Sequence, residues 1–527
     1  WMKGGPFLFF TILFVIFFSP VIFNGRLLAP TDGLLYGIPA FYSPRTLWTP
    51  LIYAGYPVAA DPQVQTWYPL SFLWSLVPGG WNAFIVSVYV LSACFAYGYV
   101  RTLTQSRMAG LVSGLGFSMS GFMMARLGQT PLAHSALWLP LIFWAIEKLR
   151  REESPSGVGW GALGVACFIL AGHPQMFLYG MMTAAAYTLY VGWLEPQRRR
   201  FFGRVGLMTI LGVGLTAVQL LPTMELAGLS TREEITFSEF SRYSLSPLQS
   251  LSLLFPFLFG GGGIWYSTRY FGEGNFVEMV GYLGLLTLLL AAVGVVVRRG
   301  DRQVRFWLAV VGIGWVLSLG KFTPLGEWLY HLPVYNKFRG QIRHFLEISL
   351  AVSVLAGFGA AAILHHRAKL EEMKNILFCG FALFGTVLCA VFIFSGDIKN
   401  QAALKGLTDI HLAPWNNPAV GVPVIVFILS VVSVWIWFRK PSSALRQSWV
   451  LMALVVDLGS FGWFHHWNYL SPPAPWLNPP GATSRFQGLL EKHHQRMVPI
   501  TGVRGENHQF PVNLSRMWGI PSISGYG

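Results

Sequence analysis

Charge is what this sequence has least of. Only 11% of its 527 residues are Asp, Glu, Lys or Arg, against about 25% in an ordinary soluble domain. With 54% hydrophobic residues and a mean hydropathy of +0.51, that shortage excludes a soluble globular chain. No core of its own would hide so much apolar surface, so a bilayer must be its main solvent. Cysteine is scarce too: Cys94, Cys167, Cys379 and Cys389 all fall inside apolar runs. That excludes a disulfide framework and leaves small packing residues. No HExxH, CxxC, GxSxG or nucleotide fingerprint appears, and the four glycines at 260–263 lack the lysine and the strand–turn–helix setting of a phosphate loop. The pairs His365–His366, His465–His466 and His493–His494 read by position as loop or interface residues, so no metal site is assigned. Without an internal repeat, an inverted-repeat transporter gains no support.

What is present is basic and aromatic. The net charge of +15 comes in short clusters between apolar runs, such as QRRRFFGR at 197–204 and RRGDRQVR at 298–305. Short clusters separated by spans fit cytoplasmic loops under the positive-inside rule better than nucleic-acid binding. Apolar runs of roughly span length fall at 6–26, 81–100, 108–125, 134–149, 158–172, 175–194, 205–225, 276–297, 305–320, 344–364, 375–395, 418–438 and 447–464. The expectation is an all-α polytopic membrane protein with about thirteen spans, the first retained rather than cleaved. The N-terminus is then cytoplasmic and the large loops 27–80 and 226–275 lie outside. The transmembrane domain covers 1–464. The polar, Pro-rich segment 465–527 reads as the start of an outer α+β domain that continues beyond it.

Four stretches could carry chemistry. Asp32, the first acid of the chain, sits where the chain leaves the first apolar run. An acid near an apolar interface costs free energy unless paired or useful, although Pro30-Thr31-Asp32-Gly33 is also good turn chemistry. The rest of that loop holds Asp61, Gln63, Gln65, Trp67 and Tyr68. Amides and flat rings suit a sugar, while an interfacial belt is the plainer reading of any one ring. His173 and Gln175 interrupt an apolar stretch, either as a tight turn or as a cavity lining, with Arg126, Gln129 and His134 at the same level. The loop 226–275 carries Glu233, Glu234, Glu239 and Glu273, and Glu278 stands at the mouth of the next span. The glycines at 260–263 imply either a mobile or a closely approached backbone. Lys337, Arg339 and Arg343 converge before another span. One helical turn would align Arg339 with Arg343 to bind a lipid phosphate, unless they only snorkel toward headgroups.

Several segments also resemble the YfhO-like family of bacterial multispanning membrane proteins, placed among GT-C glycosyltransferases. They are the first outer loop from TDGLLYGIPAF to SFLW, GFSMSGFMMARLGQTPLAHSALWLPLIFWAIEKL, AGHPQMFLYG, VGYLGLL, NKFRGQIRHFLE and NLSRMWGIPSISGYG, spread over nearly the whole chain. The resemblance implies a GT-C-like fold and envelope glycosylation. It places the family's early essential acid at Asp32, with Asp61 as a second acid. Members usually continue past the GYG-like segment, so the chain resembles a shortened member. The expected function is transfer of a sugar from a polyprenyl-phosphate donor to an envelope acceptor, with inversion and with a loop Asp as general base. Asp32 and Asp61 are then catalytic. Gln63, Gln65, Trp67, Tyr68, Arg126, His173, Gln175 and Glu278 bind substrate, and Lys337, Arg339 and Arg343 bind the lipid phosphate. No nucleotide cofactor is expected, and a divalent metal stays open. The alternatives are a transporter or flippase of lipid-linked sugars, or a non-catalytic envelope-assembly protein.

Overall fold

The computed structural model describes residues 4–152, 155–230, 235–266, 268–498 and 513–525. Glu233, Glu234 and the strand-like text at 499–512 lie outside them. Regular elements among the described residues are all helical, joined by a few isolated bridges such as Arg26–Pro473 and Met497–Ser522. In hydrocarbon the backbone has no water to bond, so an apolar run satisfies itself as a helix.

Among the described residues six helices are long and apolar enough to cross a bilayer: Trp81–Thr104, Arg107–Gly128, Gln341–Leu364, Leu370–Ile393, Pro418–Arg439 and Ala444–Gly462. Arg198–Gly214 and Ala217–Gly228, bent by 68°, would make a seventh. This is a multi-pass membrane protein, but thirteen full-length spans are not what the helices provide. Gly5–Phe17, Ser156–Leu170 and Leu285–Val297 are apolar yet only 10–17 residues long. The run 134–149 divides into Thr130–Ala136 and Leu139–Arg151. Pro20 and Pro140 stand at the heads of new helices, where a residue without N–H interrupts the ladder. The expected outer α+β segment gains no support from the described residues. Its described part is short helices, Thr483–Lys492 the longest, with prolines at 472, 473, 475, 479 and 480 removing donors a sheet would need.

The helices that shape the interior are α1 (Trp81–Thr104), α2 (Arg107–Ser118), α3 (Leu139–Arg151), α4 (Pro174–Gly192), α5 (Leu285–Val297), α6 (Arg302–Ser318) and α7 (Phe345–Leu364). At their centre stands α7, which is buried along nearly its whole length. Small residues let backbones touch there. A Cβ on Gly359 would lie 1.8 Å from Leu290 O, and one on Gly294 2.3 Å from Leu355 O, so α5 and α7 meet at glycine. Ser113 and Ser353 bridge α2 to α7 at 3.4 Å. Tight packing of small residues replaces the hydrophobic drive that lipid cannot supply. At the periphery Leu370–Ile393 turns Phe378 (74% exposed) and Ile393 (75% exposed) outward, as a lipid-facing helix should.

Candidate functional site

The first loop is docked, not free. Asp61, 7% exposed, caps the turn Pro62–Val64 by accepting from Gln63 N at 2.9 Å. Its Oδ2 accepts from the hydroxyls of Tyr36 (2.7 Å) and Tyr56 (3.1 Å). Burial, and then the Asp61 charge, push the Tyr36 phenol well above its ordinary pKa, so it stays a donor. Tyr36 belongs to the π-helix Gly33–Gly37, headed by half-buried Asp32. Gln65 turns left-handed (φ +59°) and its amide donates to Ala171 O at 2.8 Å.

A second group assembles around Glu278, which is 4% exposed. It accepts from Arg343 at 2.7 and 3.1 Å, from Arg126 at 3.0 Å and from Gln129 at 3.3 Å. Arg126 also donates to the carbonyls of Val277 and Glu278. Arg343 Nη1 reaches Gln175 Oε1 at 2.7 Å, and Gln175 Nε2 donates to Arg339 O at 2.8 Å. Burial opposes ionisation of Glu278, but the charges of Arg126 and Arg343 overcome it and hold the carboxyl well below the usual range.

These groups form a ring of contacts at one end of the bundle. A Cβ on Gly33 would lie 3.4 Å from Gly128 Cα, so the Asp32 turn rests on the segment carrying Arg126 and Gln129. Gln129 leads to Glu278, Arg343 and Gln175. At the head of α4, half-buried His173 accepts from Met176 N. Gly172 beside it (φ +94°) would put a Cβ 2.1 Å from Pro62 O, where only glycine admits so close a backbone. Pro62 returns the path to Asp61 and, through Tyr36, to the Asp32 helix. Gln63 sits half-buried at that junction and Trp67 is exposed.

Other expectations change. Tyr68 is fully buried, its hydroxyl 3.0 Å from Trp138 Nε1 and 3.1 Å from His134 Nδ1, so it is a core tie rather than a sugar-facing ring. Arg339 and Arg343 are not aligned by one α-turn. Gly340 (φ +84°) and a 3₁₀ turn separate them, sending Arg339 to Glu239 at 2.7 Å and Arg343 to Glu278. Lys337 is exposed nearby. The glycines at 260–263 are approached closely: a Cβ on Gly260 would meet Arg269 O at 2.4 Å, and one on Gly263 the Tyr469 ring at 2.6 Å.

Two residues escaped the sequence reading. Arg516, 6% exposed, faces Asp61 and Tyr36 in a small cavity also lined by Tyr53 and Tyr56, and its guanidinium has no hydrogen-bond acceptor among the described residues. Burial lowers its pKa, partly offset by Tyr36 and Asp61. Asp457, fully buried, accepts from Tyr282 OH (2.6 Å), Leu285 N (3.1 Å) and Leu286 N (2.7 Å), capping α5. An acid in the apolar text ALVVDLG was the available signal for Asp457. Nothing local singled out Arg516.

The family described as "Bacterial membrane protein YfhO" matches residues 67–469. The chain belongs to the YfhO family. The match takes in Tyr68, the Arg126, His173 and Gln175 segments and the Glu278–Arg343 group, and leaves Asp32, Asp61 and Arg516 outside its bounds. No curated protein matches this YfhO-family chain. Among solved structures it is similar to ArnT from Cupriavidus metallidurans bound to undecaprenyl phosphate, at TM-score 0.47 and 14% identity over 99% of this chain and 86% of that one. The apo form of that ArnT gives 0.47 and 14%, over 99% and 85%. The Archaeoglobus fulgidus oligosaccharyltransferase tethered with an acceptor peptide gives 0.41 and 11%, over 100% and 64%. Similarity this slight carries no argument about activity.

Proposed function

We propose that this YfhO-family protein is a membrane glycosyltransferase. It moves a sugar from a polyprenyl-phosphate donor to a cell-envelope acceptor at the outer face of the cytoplasmic membrane, its N-terminus inside. The observation that carries this reading is the ring of contacts that puts the first-loop carboxylates Asp32 and Asp61 at the same bundle end as Gln175, Glu278 and their arginines. Asp32 acts as general base. It takes the proton of the acceptor hydroxyl as that oxygen attacks the anomeric carbon, and the bond from that carbon to the phosphate oxygen breaks. Attack opposite the leaving group inverts the centre. Asp61 is held by Tyr36 and Tyr56 beside Arg516, whose uncommitted donors suit an anionic or hydroxyl-rich ligand. Lys337 and Arg339, both solvent-accessible, take the departing lipid phosphate, while Arg343 is held by Glu278 and orders the site. Gln63, Trp67 and His173 line the sugar path, and Gln175, buried behind them, holds Arg343 in place.

The test is transfer from a radiolabelled polyprenyl-phosphate sugar to membrane acceptors by Asp32→Asn. Loss of a general base is expected to lower the rate by about 100-fold or more. Undiminished transfer at normal expression would remove Asp32 from the mechanism.

A further inference from the structure

The helices that hold the first loop at one end hold a basic cavity at the other. α1 starts at Trp81, whose indole donates to Leu28 O at 3.1 Å, and Leu103 near its end lines the cavity. α3 starts beside Trp138, which contacts Tyr68, and ends at Arg150 and Arg151. α4 starts at the Gln175 site and ends by Val191. α1 has 24 residues, about 36 Å of helix, against a hydrocarbon core of about 30 Å. The cavity therefore lies at the opposite bilayer boundary. Its volume is about 300 Å³, lined by the apolar Leu103, Val191 and Phe358 and by the polar Arg150, Arg151, Arg302, Gln303 and Asp301, so one carboxylate stands among three guanidinium groups.

The acids nearby are already engaged. Glu147, fully buried, accepts from Arg150 Nε (3.0 Å) and Nη2 (2.8 Å), from Arg151 Nε (2.7 Å) and from Tyr187 OH (2.6 Å). Glu195 takes the third nitrogen of Arg150 at 2.8 Å. Asp301 caps α6 through Gln303 N at 2.9 Å and pairs with Arg298 at 2.5 Å. Two guanidinium groups keep uncommitted donors. Arg151 uses only Nε. Arg302 uses only Nη2, on Tyr190 O at 2.8 Å, with its Cζ 5.1 Å from the centroid of the Tyr190 ring. Their other N–H groups have no acceptor among the described residues, and a guanidinium offers five in a fork that fits phosphate.

We propose that this cavity binds a phosphate group carried by an anionic lipid of that leaflet. The phosphate sits between Arg151 and Arg302, and the rest of the lipid leaves past the part-exposed Leu103 into the bilayer. Basic pockets between helices at a membrane boundary recognise such headgroups. The position at a bilayer boundary favours a lipid over a soluble phosphate as the source.

The test offers the delipidated full chain equimolar phosphatidylglycerol and phosphatidylcholine and counts retained lipid by native mass spectrometry. Wild type is expected to prefer phosphatidylglycerol roughly tenfold. Arg302→Gln should weaken the preference, and R151Q/R302Q should abolish it. R151K/R302K should keep part of it, since an ammonium retains the charge but not the fork. Arg302 makes no ion pair among the described residues and Arg150 still neutralises Glu147 in Arg151→Gln, so an unchanged melting curve verifies the fold. Equal retention of both lipids, or a preference that survives R151Q/R302Q, overturns the proposal. Saturable inorganic phosphate binding that the double variant loses, without lipid preference, supports the phosphate site and overturns the lipid as its source. None of these readouts depends on sugar transfer.

Discussion

Glu278→Gln probes the organisation of the site most directly. Glu278 and its partners are shielded from water, with side-chain exposures of 5% for Glu278, 12% for Arg343 and 1% for Arg126. At about 3 Å and an effective dielectric near 20, each pair attracts by roughly 5 kcal/mol. Desolvation costs several kcal/mol per ion, so the intact triad is nearly neutral for stability. Removing only the anion keeps the desolvation cost of two buried cations and discards the attraction. The expected loss is about 3–5 kcal/mol, read from denaturant unfolding in detergent micelles. Glu278→Gln combined with Arg343→Met should recover part of it. The pH dependence has a definite sign. Burial raises the Glu278 pKa, but Arg126 and Arg343 outweigh it and hold the carboxyl well below its ordinary value. The contribution of a carboxylate depressed in the folded state is complete above the unfolded value, about 4.3, and fades as pH falls through the lower folded value. The gap between wild type and variant should be flat from about pH 8 to 5 and shrink below about 4. A gap under about 0.5 kcal/mol, or one that widens in acid, refutes this account of the triad.

The same geometry gives three more expected outcomes. Gly172→Ala places a Cβ 2.1 Å from Pro62 O at φ +94°, so the Asp61 turn must move; transfer should fall more than thermal stability, and equal activity would show that the docking is idle. Asp457→Asn replaces the buried carboxylate that accepts from Tyr282 and two α5 amides, and should cost about 1–3 kcal/mol in unfolding assays, with Tyr282→Phe costing less. Arg516→Met removes a buried guanidinium that has no hydrogen-bond acceptor among the described residues. Stability should therefore hold within about 1 kcal/mol while transfer falls about tenfold or more; unchanged transfer would take Arg516 out of the site.

Legibility in the sequence tracked the range of the interactions involved. Apolar run length announces membrane helices, and Pro20 and Pro140 show where runs break once their local effect on the ladder is applied. The acids Asp32, Asp61 and Glu278 stood out because charge is rare in this text. Arg339 and Arg343 were misjudged as a pair because spacing assumes a helix, and Gly340 does not continue one. Tyr68 read as a sugar platform because composition cannot tell which ring turns inward to His134 and Trp138.

By itself, then, the sequence determined the solvent, the helical class and the short set of charged residues that must be explained, because hydropathy and charge are properties of each residue and its near neighbours. Only the tertiary structure decided that Glu278 neutralises Arg126 and Arg343, that Arg516 from the tail faces Asp61, and that Gly172 admits the first loop. Those contacts join residues 65 to more than 400 positions apart, and their strength depends on shared burial, which no single stretch of sequence encodes.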